Sequence, residues 1–204
     1  TIRMNIDGRF NVVKVSFNAS ILSEPVGSGK TIDILACILL NKIPRAIPDI
    51  MELPYIESES SVGYIKRKFK EHHLKPNLIF VGTSVMRQWS NAIATFTDLR
   101  TFEVHDIGDL RKLLQMISTG VVNDLDVILV KNGKITRKIE LPDGIELEDK
   151  NRVTQPFIYN ILANLRSYCW KRVIVDDFDT IKLPYNAGIV NGLYTWYVSS
   201  TRKS

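Results

Sequence analysis

Residues 23–31 read Ser23-Glu24-Pro25-Val26-Gly27-Ser28-Gly29-Lys30-Thr31. Two glycines one residue apart, followed by lysine and threonine, are what a loop needs to wrap a chain of phosphates. Glycine lets backbone N–H groups turn inward where a side chain would obstruct. The lysine neutralises charge on the β and γ phosphates, and the Ser/Thr hydroxyl ligates Mg2+. The stretch follows a strand-like run at 20–22 and opens an apolar helical pattern at 32–40, whose N-terminus would face the same anion. The strict pattern G-x-x-x-x-G-K-[ST] places a glycine where this chain has Glu24. A glycine-rich turn is the bland alternative. The strand before and the helix after favour a phosphate loop built from Gly27, Ser28, Gly29, Lys30 and Thr31.

The bulk composition is that of a globular domain: 204 residues, 45% hydrophobic, enough for one sizeable core. No apolar run approaches the ~20 residues that span a bilayer, and no secretory leader is visible, so no membrane partner is expected. The chain opens without Met and stops just after a strand-like run, which suits a fragment of something longer. Cys37 and Cys169 lie far apart, each flanked by apolar residues, and read as buried free thiols of a reducing compartment. His72, His73 and His105 lack companions at zinc spacing and read as solvated. The net charge of +5 fits a polyanion partner, but only weakly, since many basic domains touch no nucleic acid.

Short β-branched or apolar runs alternate with helical stretches along the chain. Candidate strands fall at 12–17 with 20–22, then 78–81, 101–104, 126–130, 173–175 and 196–199. Candidate helices fall at 31–40, 84–96, 107–118 and 157–168. This alternation predicts an α/β domain with a mostly parallel central sheet. Two stretches interrupt it and read as peripheral insertions. Residues 43–76 carry early prolines, an acidic Ser-rich patch and the run Lys66-Arg67-Lys68-Phe69-Lys70. Residues 133–155 are polar and turn-rich, with Pro142-Asp143-Gly144 poised for a turn.

Downstream, Lys171-Arg172-Val173-Ile174-Val175-Asp176-Asp177-Phe178-Asp179 is a β-branched strand ending in carboxylates. Alone, it reads as a strand entering a solvated turn. Paired with the phosphate loop, it supplies what a Mg-nucleotide site needs opposite: one acid for the ion and a second to polarise the attacking water.

In this order the segments resemble the first motor lobe of superfamily 2 helicases, particularly the Swi/Snf-type DNA-dependent ATPases. Residues 23–31 look like motif I, where an acid at Glu24 and a missing first glycine are usual. Residues 78–89, L-I-F-V-G-T-S-V-M-R-Q-W, look like motif Ia with its Gln88-Trp89 pair. Residues 126–130 resemble the following hydrophobic strand, 173–179 the acidic motif II, and 196–201, W-Y-V-S-S-T, the coupling motif III. The resemblance covers about residues 20 to 201 and implies a RecA-like P-loop fold, one domain over 1–204, ATP and Mg2+ as cofactors, and DNA or RNA as partner. It also implies a second RecA-like lobe carrying the arginine fingers, and an intracellular setting in nucleus, cytoplasm or virion. By that resemblance Lys30, Asp176 and Asp177 are catalytic, and Thr31 with Asp176 holds the metal. Thr83, Ser84 and Arg87 touch the nucleic-acid backbone, and Ser199 and Thr201 couple hydrolysis to the bound strand.

The departures are specific. Asp177 stands where glutamate is usual, one methylene short; Asp179 stands where histidine or aspartate is usual; and Phe178 fills a position normally small. They motivate a second reading, a degenerate lobe acting as scaffold or nucleic-acid-binding module. Together with the insertions they also suit a large DNA virus as source. A metabolic P-loop kinase is a third reading, which leaves Gln88-Trp89 unexplained. For individual residues the plainer roles compete: Ser84 as the N-cap of the next helix, Trp89 as core, and the basic cluster around Phe69 as a solvated helical face.

Overall fold

The computed structural model describes residues 2–6, 9–13, 19–40, 51–56, 62–67, 72–134, 141–145, 157–165, 167–181 and 189–200. Strands β1 (Ile2–Ile6) and β2 (Arg9–Val13) form an antiparallel ribbon. Then follow β3 (Ala19–Ser23) and α1 (Lys30–Leu40). A second ribbon pairs β4 (Met51–Ile56) with β5 (Val62–Arg67). The rest alternates: β6 (His72–Val81), α2 (Met86–Phe96), β7 (Thr101–Val104), α3 (Ile107–Thr119), β8 (Val127–Lys131), α4 (Ile158–Ala163), β9 (Tyr168–Val175) and β10 (Thr195–Ser199).

Six strands make one all-parallel sheet in the order β3-β10-β9-β6-β8-β7. A sheet of this kind must be covered on both faces, and its strands alternate between two cores accordingly. Leu78 and Phe80 of β6, Ile128 and Val130 of β8, and Val173 and Val175 of β9 point one way, against Leu110, Leu113, Leu114 and Ile117 of α3 and the buried face of α4. Ile79, Val81, Val127, Leu129, Ile174 and Val198 point the other way, against Ile34, Leu35 and Ile38 of α1 and Met86, Trp89 and Ile93 of α2. The 3–4 spacing of those helical residues is the stripe that a covering helix needs. The domain is an α/β RecA-like fold with helices on both faces.

Several boundaries differ from the sequence reading. Strand β6 begins at His72, inside the stretch assigned to an insertion, and its pairing with β9 shifts register between Leu74 and Asn77. Pro76 lies in that gap and cannot donate to a ladder, which is why the strand continues only through a bulge. Strand β9 begins at Tyr168, so α4 ends at Ala163, short of the expected 168. The Asn164 amide donates back to the Asn160 carbonyl and closes the helix there. Lys66 and Arg67 lie in strand β5, not on a helical face, because Val62–Arg67 pairs with Met51–Ile56 residue for residue; Lys68, Phe69 and Lys70 lie outside the described residues.

Cys37 is exposed, contrary to expectation, whereas Cys169 is buried. Helix α1 is apolar nearly all round, but its buried stripe against the sheet is Ile34, Leu35 and Ile38, with Leu39 partly buried beside it, and Cys37 falls off it. His72, His73 and His105 are exposed as expected. The second insertion is closed at its base by a bridge between Lys134 and Phe157. Within it, Pro142 accepts from Ile145 N–H across the anticipated turn. Among the described residues no helix is long and apolar enough to cross a membrane.

Candidate phosphate and metal site

All the parts of the site sit at the carboxyl edge of the parallel sheet, where open α/β sheets bind ligands. Strand β3 runs into the loop Glu24–Gly29, and α1 starts at Lys30. Gly27 and Gly29 have φ of 82° and 98°, a region an L-side chain rarely adopts, and a Cβ at either would meet nothing within 4 Å. Backbone conformation, not crowding, therefore requires glycine here. The Lys30 ammonium donates to the carbonyls of Glu24 (2.9 Å) and Pro25 (2.8 Å), so the lysine spans the loop it follows. Thr31 is half-buried on the first turn of α1.

Strand β10 lies between β3 and β9 and joins the two halves. Ser23 pairs with Ser199, and the Glu24 N–H donates to the Ser199 carbonyl at 3.3 Å. On the other side, Tyr197 pairs with Val175, and the Phe178 N–H donates to the Val198 carbonyl at 3.1 Å. The phosphate loop and the acidic turn are thus both tied to β10.

Asp176 directly follows β9 at 8% exposure, its N–H donating to the Phe80 carbonyl of β6. Its Oδ2 accepts from the indole Nε1 of Trp89 at 2.6 Å, and its Oδ1 accepts from the Asp177 N–H at 3.1 Å. Burial pushes its carboxyl above the usual range. The Trp89 bond opposes this, the Asp177 charge adds to it, and the Asp177 N–H and the Lys30 charge pull it back down.

Asp177 has φ of 49°, the only non-glycine left-handed residue among those described. Its carbonyl accepts from the N–H groups of Thr180 and Ile181, both at 2.8 Å, and its Oδ1 accepts from the Ser200 hydroxyl at 3.3 Å. Phe178 is half-buried against the α3/α4 core, edge-on to Tyr197 with ring centroids 5.7 Å apart.

Thr83, Ser84 and Arg87 are exposed just past β6 on the same edge. Ser84 does not cap α2: Val85 holds that position, in a helical conformation with no side-chain cap bond. The Val85 N–H instead closes a turn onto the Gly82 carbonyl at 3.3 Å. Trp89 is core, at 1% exposure. Sequence reasoning missed its bond to Asp176 and that of Ser200 to Asp177, because no local pattern marks contacts 87 and 23 residues apart. Thr201 lies outside the described residues.

The donor set fits a magnesium nucleotide. Mg2+ is usually held by one or two carboxylates together with substrate phosphates, not by an all-protein cage. Among the described residues no group of three or more His, Cys, Asp or Glu gathers as such a cage. One buried carboxylate opposite a glycine loop, a lysine and a threonine is the matching arrangement.

Residues 10–187 match the family model of the SNF2-related domain. The chain belongs to that family. The match takes in the phosphate loop, α2 and the Asp176–Asp177 turn, and ends before β10. Domains of the SNF2-related family are helicase-like ATPase motors that generally use ATP and Mg2+ and act on nucleic acid.

Proposed function

We propose that this SNF2-related domain is the N-terminal RecA-like lobe, over residues 1–204, of a nucleic-acid-dependent ATPase. It would bind Mg-ATP at its carboxyl edge and nucleic-acid backbone beside it. The observation that carries the reading is that the glycine loop before Lys30 and the acidic turn at Asp176 and Asp177 are both hydrogen-bonded to the end of β10, the Glu24 N–H to the Ser199 carbonyl and the Phe178 N–H to the Val198 carbonyl.

Each role follows from position. The N–H groups of Gly27, Ser28 and Gly29 would face phosphate oxygens, and Lys30 would move from its loop carbonyls to the β and γ phosphates. The Thr31 hydroxyl and the Asp176 carboxylate would hold the ion. Bound Mg2+ neutralises charge on the transferring phosphoryl group. Asp177 would orient the attacking water, held toward it by the Ser200 hydroxyl. Thr83, Ser84 and Arg87 would contact the DNA or RNA backbone, which positions a strand without reading its bases. Ser199 and Thr201 would couple the two sites through β10.

A second lobe would supply the arginine fingers, whose loss costs on the order of 10³-fold or more in rate. The chain alone should therefore bind ATP and hydrolyse it poorly. An intracellular setting follows from the same reading, and viral origin rests on the divergent acidic turn. The scaffold reading draws on Asp177 and Phe178: a short carboxylate engaged by Ser200, and a bulky ring anchored in the core.

Thermal unfolding with Mg-ATP separates the two readings. A ligand that binds only the folded state stabilises it by RT ln(1 + [L]/Kd), about 2.7 kcal/mol at a hundredfold excess over Kd. The wild-type chain should show a clear upward shift at millimolar Mg-ATP, and Lys30→Ala should show none. No shift in the wild type would leave the scaffold reading standing. Brisk turnover by this chain without nucleic acid would contradict the two-lobe mechanism.

A further inference from the structure

Trp89 and Asp176 meet in the interior although 87 residues separate them in the chain. The indole has one polar atom and can only donate. It gives that donor to a carboxylate oxygen, Oδ2 of Asp176, at 2.6 Å. Volume alone does not demand this. Trp170 is buried at least as deeply, and its Nε1 has no acceptor among the described residues. Trp89 is also held rigidly: with Met86 and Ile93 it forms the stripe that packs α2 against Ile79, Val81 and Leu129 of the sheet.

The consequence falls on the rotamer of Asp176. Trp89 Nε1 engages Oδ2 and the Asp177 N–H engages Oδ1, so both carboxylate oxygens are directed while each retains a further lone pair. A carboxylate fixed at two points presents those remaining lone pairs in one direction. A carboxylate fixed only at Oδ1 can turn about its side-chain bonds.

We propose that Trp89 is a positioning residue, its indole N–H orienting the Asp176 carboxylate to receive the divalent ion beside the phosphate loop, so that helix α2 forms part of the metal site. This rests on the Mg-nucleotide reading above. Outer partners that orient a ligating group typically change metal affinity by about 10–100-fold when removed.

The experiment compares ATP affinity with Mg2+ and with EDTA, by calorimetry on the 204-residue chain, for wild type and Trp89→Phe. The expected result is a loss of about tenfold or more for Trp89→Phe in Mg2+, with the affinity in EDTA within about twofold. Equal losses in both conditions would reduce Trp89 to packing and overturn the inference. Because Trp89→Phe leaves space in the core and so lowers the stability of the fold, a second measurement uses the wild type alone. The indole N–H resonances of Trp89, Trp170 and Trp196 are followed as ATP is added with Mg2+ and then with paramagnetic Mn2+. Trp89 should shift with Mg2+ and broaden first with Mn2+. A chain that binds Mg-ATP while the Trp89 resonance stays in place would overturn this inference and spare the functional reading. A wild type that binds no Mg-ATP would overturn both.

Discussion

The Ser200 hydroxyl donates to Oδ1 of Asp177 at 3.3 Å, joining the end of β10 to the one described non-glycine residue in a left-handed conformation. Asp177 is a reasonable occupant of that conformation, because aspartate's short polar side chain can bond locally. Its carbonyl takes the Thr180 and Ile181 N–H groups, so the turn 176–181 over-determines the strained φ of 49°. Such strain tends to collect where function needs a side chain held in one direction.

A stability series at Asp177 tests that account. Glycine adopts this φ freely, so Asp177→Gly should stay within about 1 kcal/mol of the parent despite losing the Ser200 bond. Valine, branched at Cβ, should destabilise by about 1–2 kcal/mol more than glycine. Urea midpoints of the two variants decide it. Valine as stable as glycine would mean that the turn relaxes out of the left-handed region and stores no strain.

Gly29→Ala is a companion test at the phosphate loop. With φ of 98° and no atom within 4 Å of a built Cβ, the penalty is confined to the backbone. A loss of about 1 kcal/mol or more is expected, together with loss of the Mg-ATP-dependent thermal shift. Unchanged nucleotide binding would show that the loop does not need this curvature to take phosphate.

Much of this architecture was legible in the sequence. The run 101–104 is β7, and Leu78 to Val81 alternate between two cores because a buried parallel strand is apolar on both faces. The phosphate loop was legible because its chemistry is local: glycines, lysine and threonine act through consecutive backbone groups. What escaped depended on distant partners. Tyr168 closes the helical pattern 157–168 on paper, yet it pairs with His72 of β6 as the first residue of β9. Ser84 satisfies the rule for an N-cap, but the turn from Gly82 starts the helix one residue later. The sequence pattern joins 12–17 to the first strand of the sheet, whereas Val12 and Val13 pair with Arg3 and Ile2 in the N-terminal ribbon and 14–17 lie outside the described residues.

At alkaline pH the α3/α4 core should weaken. Burial raises the Tyr159 phenol from its ordinary value near 10 to about 12, with the Tyr197 charge adding and a bond to the Val190 backbone opposing. Burial likewise raises the Cys169 thiol from about 9 to about 11. Both groups keep their protons longer when folded, so the unfolded chain ionises first. Their contribution is complete below about pH 9 and is lost as pH climbs through 11 to 12. Tyr159→Phe keeps the ring contact with Phe80, whose centroid lies 4.9 Å away, and should flatten the decline. Urea unfolding at pH 8, 9.5 and 10.5 checks this; an equally steep decline in the variant would assign the loss to other groups.

Asp176→Asn should separate stability from ligand binding. The carboxylate is nearly enclosed, and burial disfavours its charged form more than Trp89, the Asp177 N–H and Lys30 favour it. Asparagine has nearly the same shape, and its carbonyl oxygen can still accept from the indole, so the Trp89 bond survives without a buried charge, although its amide nitrogen cannot accept from the Asp177 N–H as Oδ1 does. The variant should therefore be more stable than the parent near neutral pH by about 1 kcal/mol, the size of gain common when a strained functional group is relieved. It should also lose most of the Mg2+-dependent part of its ATP affinity, because a neutral amide is a poorer ligand for a hard cation. Urea midpoints and calorimetry on one preparation give both answers. A variant that is less stable would show that the indole and lysine already compensate the charge, and that Asp176 is held in place for the fold itself.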